Sequence, residues 1–132
     1  MAHVISFRTH KFDISKEPRN PINPIAGQSV LAWLREELSK AHCGVSEPAT
    51  EDWGWYIDVR SDSASYLVGA SAEAQQPTPD VEWTVQVHKF RSLTDKLLGR
   101  NKMIAGDPMT ALIERIVRAD GSVREVEVTK DA

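Results

Sequence analysis

The sequence predicts an α+β domain: an antiparallel sheet of about four or five strands with two longer helices packed on it, in the order β-α-β-β-β-(α)-α-β. Three observations predict it. Residues 52–59 and 81–88 alternate apolar and polar side chains with period two, the mark of half-buried strands. Residues 29–43 and 107–120 repeat apolar side chains at helical spacing. The strands also follow one another and are bracketed by helices, which favours an antiparallel sheet over a parallel α/β arrangement.

Residues 3–9 place Ile5 and Phe7 on one face and Val4, Ser6 and Arg8 on the other, a short strand expected at the periphery. Pro18, Pro21 and Pro24 make residues 12–25 an extended, irregular loop, because each removes a donor and biases its predecessor away from helix. Val30, Leu31, Leu34, Leu38 and Ala41 form the stripe of the first helix, and Gly44 ends it. Trp53, Trp55, Ile57 and Val59 then alternate with Asp52, Gly54, Tyr56 and Asp58. Ser61-Asp62-Ser63 turns the chain into a second strand over 66–70, in which Gly69 marks a bulge or a close approach. A proline-containing loop over 75–80 leads to Val81, Trp83, Val85 and Val87, which completes a three-stranded meander.

Ser92 and Asp95 form a capping arrangement for a short helix that stops at Gly99, with Leu93, Leu97 and Leu98 expected inside. Asp107-Pro108 is an acidic N-cap followed by proline at the first helical position, and Met109, Leu112, Ile113, Ile116 and Val117 keep helical spacing after it. The Asp120-Gly121 dipeptide also suits a hairpin, but the cap and the five apolar positions favour helix. Residues 122–129 close or edge the sheet with their charges facing water.

The chain of 132 residues is expected to fold as one domain, 1–132, since 41% apolar and 27% charged residues are ordinary for a globular protein. A net charge of −3 gives no general attraction to polyanions, so nucleic-acid binding would need a local basic patch. Cys43 is the sole cysteine, which excludes an intrachain disulfide and suits a reducing compartment. With no secretory leader and no apolar run near 18 residues, a soluble, cytoplasmic protein is expected, without membrane attachment.

Two candidate sites emerge. Glu51-Asp52-Trp53-Gly54-Trp55-Tyr56 gathers three aromatics and two carboxylates around a glycine; if Trp53 and Trp55 share a face with Trp83, they line an apolar ligand pocket with Glu51 at its rim and His88 near its mouth. Packing in the core is the commoner fate of such indoles. The second candidate is the locally basic stretch 88–102, where Lys89, Phe90, Arg91, Arg100 and Lys102 would face a partner. Hydrolase elbows, phosphate loops and zinc spacings are missing from the sequence, so catalytic residues, cofactors and metals are not expected.

The Glu51–Tyr56 string and the short layout resemble those of small bacterial proteins, a likeness that implies no function. The residues favour a non-catalytic binding protein with a protein partner, an accessory or immunity-like factor. A small-molecule binder or enzyme built on a tryptophan-lined pocket is the second reading, and weak nucleic-acid binding through 88–102 the third. Homodimerisation stays open.

Overall fold

A computed structural model describes residues 2–73 and 80–130. Among the described residues eight strands form a single antiparallel sheet rather than the four or five expected. They are β1 (Ala2–Thr9), β2 (Ile25–Ala26), β3 (Gly44–Val45), β4 (Ala49–Glu51), β5 (Gly54–Arg60), β6 (Ser65–Glu73), β7 (Val81–Lys89) and β8 (Arg124–Thr129). The three additional strands are two or three residues long, too short for a period to register in the sequence. The described residues also form three helices, α1 (Gln28–Lys40), α2 (Leu93–Leu98) and α3 (Pro108–Ala119). The expected loop over 75–80 lies, apart from Asp80, outside the described residues.

The sheet runs β3-β5-β6-β7-β1-β8, with β4 beside the start of β5 and β2 beside the end of β6. The meander β5-β6-β7 is as expected. The position of β1 is not: it lies inside the sheet, between β7 and the edge strand β8, with Ile5 opposite Val85 and Val128. Its inward face carries His3 and Thr9 as well as Ile5 and Phe7, and all four are buried. Two polar residues in that row hid how deep the strand sits.

Helices α1 and α3 cover one face of the sheet. Val30, Leu31, Leu34 and Leu38 of α1 and Met109, Ile113 and Val117 of α3 meet Ile57, Val59, Val68, Val85 and Val87 in one core. The N-terminus of α1 is closed by a distant residue, since the Glu17 carboxylate accepts from the backbone N–H groups of Gly27, Gln28 and Ser29 at 3.0–3.1 Å. A carboxylate there also meets the positive end of the helix dipole. Residues 14–16, expected to be irregular, form a turn of 3-10 helix that Asp13 caps.

The second face of the sheet has no helix on it among the described residues. Tyr56, Leu67, Ser71, Thr84, Gln86, His88, Val4, Ser6 and Arg8 there are half-buried, and Asp58, Arg60 and Glu82 are exposed. Antiparallel sheets commonly keep one such open face.

Candidate interaction surface

The loop between β7 and α3, residues 90–106, is joined at its two ends, and its Met103 packs against the core. Lys89 ends β7 and Asp107 caps α3; Lys89 Nζ lies 3.4 Å from Asp107 Oδ1, with the lysine side chain 13% exposed and the aspartate fully buried. Tyr66 from β6 donates its hydroxyl to the same oxygen at 3.0 Å, while Asp107 Oδ2 accepts from the backbone N–H of Met109 and Thr110. Burial and the neighbouring carboxylate push the Tyr66 hydroxyl well above the ordinary tyrosine range, so it stays a donor. His3 borders this group, its Nδ1 2.7 Å from Thr110 Oγ1. Compact loops closed at the neck in this manner often carry function.

Within the loop, α2 is only six residues long and would not persist on propensity alone. Its ends hold it. Ser92 Oγ accepts from Asp95 N and Asp95 Oδ2 accepts from Ser92 N, both at 3.0 Å, and Gly99 closes the C-terminus in the left-handed conformation. The capping expectation is therefore met. The expected burial is not: Leu93, Leu97 and Leu98 are 63–78% exposed, and Phe90 and Ile104 join them on the surface. Spacing specified the leucines, but no other element comes over them among the described residues. Exposed apolar residues gathered in one loop mark an interaction site more often than chance scatter does.

The five residues expected to face a partner divide into two groups. Phe90, Arg100 and Lys102 are exposed as anticipated. Lys89 is not available, being committed to Asp107. Arg91 holds the loop together, donating from Nε to the Arg100 carbonyl at 3.0 Å and from Nη2 to the Asp95 carbonyl at 3.3 Å. Arg100 Nε lies 3.8 Å from Asp95 Oδ1. Lys96, Arg100 and Lys102 are thus exposed basic residues in the same loop as the leucines.

The tryptophan pocket does not assemble. Trp55 and Trp83 are 7% and 0% exposed in the core, where Trp55 Nε1 donates to the Ile25 carbonyl and Phe12 meets the Trp83 ring edge-on at 5.7 Å. Trp53 stands on the other side of the sheet. Glu51 pairs with Gly54, so Asp52 and Trp53 form the turn of the β4-β5 hairpin, and the period-two row starts only after it. The Trp53 ring covers Gly69, where an added Cβ would come within 2.5 Å of the indole. The close approach expected at Gly69 is this contact.

Two hollows lie on the open face. One, of about 460 Å³, is lined by Arg8, Trp53, Ser71, Glu82 and Thr84, and its charges satisfy each other, Arg8 Nη1 lying 3.1 Å from Glu82 Oε2. The other, of about 650 Å³, is lined by Ser46, Asp58, Arg60, Leu67, His88 and Phe90. His88 Nε2 donates to Gln86 Oε1 at 3.1 Å, and burial lowers its pKa. Glu51 is exposed in the β4-β5 hairpin, remote in the sheet from the His88 position, so these two expected site residues are not brought together. Among the described residues no three His, Cys, Asp or Glu side chains converge on a possible metal position, and no helix is long and apolar enough to cross a membrane.

No family model, curated protein or solved structure gives a significant match to this sequence.

Proposed function

We propose that this is a non-catalytic protein-binding protein, an accessory or immunity-like factor, that docks through the 90–106 loop. One observation carries the reading: a helix capped at both ends and clamped at its base presents three leucines to solvent. A preformed helix loses little conformational freedom on docking, which is how short elements gain affinity. Its counterpart is an apolar groove of a partner protein, as in helix-in-groove recognition. Lys96, Arg100 and Lys102 in the same loop favour a groove with an acidic rim, and that contribution weakens with salt.

The test is site-specific photocrosslinking in native cells, with a benzophenone side chain at Leu97 and, as a control, at Glu36 on the wet side of α1. The reading expects one discrete adduct from position 97, none from position 36, and loss of that adduct when Leu93 and Leu98 are both changed to Glu. Identical adducts from both positions, or an adduct indifferent to the two substitutions, would refute it.

A further inference from the structure

We infer that the 650 Å³ cleft on the open sheet face is a binding site for a short zwitterionic peptide with apolar side chains, a dipeptide in its simplest form. Asp58, Leu67 and His88 stand in one cross-strand row, since Leu67 pairs with both of the others. Arg60, Ser65 and Phe90 form the next row, with Phe90 N bonded to the Ser65 carbonyl. An apolar strip, Leu67 and Phe90, thus runs beside a carboxylate and a guanidinium. Neither charge meets an opposite charge among the described residues, whereas the neighbouring hollow neutralises its own. Ser46 helps hold the wall, its Oγ accepting from Asp58 N at 2.8 Å.

The spacing selects the ligand. Asp58 and Arg60 are two residues apart on one strand face, a step of about 7 Å, and two extended residues of a bound peptide cover about the same length from amino to carboxyl end. The ammonium end then faces Asp58 and the carboxylate end faces Arg60, while the two side chains lie on Leu67 and Phe90. A guanidinium fork is well suited to a terminal carboxylate. The cleft volume lies in the range usual for small-ligand sites, and its apolar floor with a few polar groups is their usual composition. This site shares Phe90 with the docking loop but does not depend on the leucines of α2.

The test is amide chemical-shift mapping on the full-length protein with leucyl-phenylalanine, its N-acetyl form and its C-terminal amide. The expected result is saturable shifts at Asp58, Arg60, Leu67 and His88 for the free dipeptide, and binding about tenfold weaker for either blocked form and for D58N and R60Q, the loss of one charge-assisted hydrogen bond. Equal binding of all three compounds overturns the proposal, because apolar contact alone would then account for it. Equal binding of the free and N-acetyl forms also overturns it, since the ligand would then be the carboxyl end of a longer polypeptide and Asp58 would have no part. Absence of saturable shifts has the same consequence. The Leu93→Glu/Leu98→Glu variant must keep dipeptide binding, and R60Q must keep the crosslink at position 97, so each proposal can fail without the other.

Discussion

Lys89 and Asp107 join the two ends of the 90–106 loop by an ion pair of 3.4 Å that is almost closed to water. Removing one member of such a pair leaves the other charge buried and uncompensated, which generally costs more than the pair contributes. Asp107→Asn keeps the capping oxygen for Met109 and Thr110 but loses the charge, and a loss of about 3 kcal/mol in urea unfolding is expected. Asp107→Ala also removes the cap and loses about 1 kcal/mol more. Hydrogen exchange across 90–106 quickens in both; unchanged exchange would show that the clamp does not hold the loop.

Two glycines in close contact with neighbours differ in what they touch. A Cβ on Gly27 would lie 2.3 Å from the Ala70 carbonyl oxygen, which is sheet backbone and cannot withdraw. A Cβ on Gly69 would clash with the far edge of the Trp53 ring, in a turn, and make ordinary contact with the Trp55 carbonyl oxygen at 3.5 Å. Gly27→Ala is therefore expected to cost about 3 kcal/mol and Gly69→Ala about 1 kcal/mol, with a change in tryptophan emission in both, since the Gly27 position also lies 3.2 Å from Trp55 Cδ1. The reverse order in thermal unfolding would contradict this account.

Acid destabilises the fold in two separate windows. Burial lowers the pKa values of His3 and His88 below 6.5, so between 6.5 and the lowered values the unfolded state binds more protons than the folded one. Stability is full above 6.5 and falls as the pH drops through that interval. Asp120 is held down to about 2 from 3.8, first by the Ser122 hydroxyl and then by Lys11, so its contribution is present above 3.8 and is lost as pH falls toward 2. Urea midpoints measured from pH 8 to pH 2 should show both declines, and His3→Gln should flatten the first.

Leucines at helical spacing differ sharply in their contribution. Leu34 is fully buried under the sheet and Leu97 is 78% exposed. Leu34→Ala is expected to cost about 2–5 kcal/mol and Leu97→Ala less than about 0.5 kcal/mol. A large loss at Leu97 would mean that α2 is part of the core rather than a docking element.

That contrast also shows what could be read from the sequence. Asp107-Pro108 and Ser92 with Asp95 specified their helices because capping is settled within three residues, and the 81–88 alternation specified the best strand for the same reason. Periodicity shows which residues share a face but not what covers that face, so Leu93, Leu97 and Leu98 were expected inside. Alternation groups Trp53 with Trp55 because nothing in the string shows that Asp52 and Trp53 are the turn of a hairpin whose other strand is three residues long. The cleft combines Asp58, Leu67 and His88 through pairings across three strands, and Tyr66 meets Asp107 across 41 positions of sequence, so neither leaves a local trace.

The interior place of β1 governs the order in which the protein can be completed. The strand is made before both of its neighbours, the meander's last strand and β8, His3 pairing with Val87 and Ile5 with Val128. At ~5–20 residues per second, β7 follows β1 on the order of ten seconds later. During that interval Ile5 and Phe7 have no sheet to enter, so their apolar row stays unpaired until β7 is made.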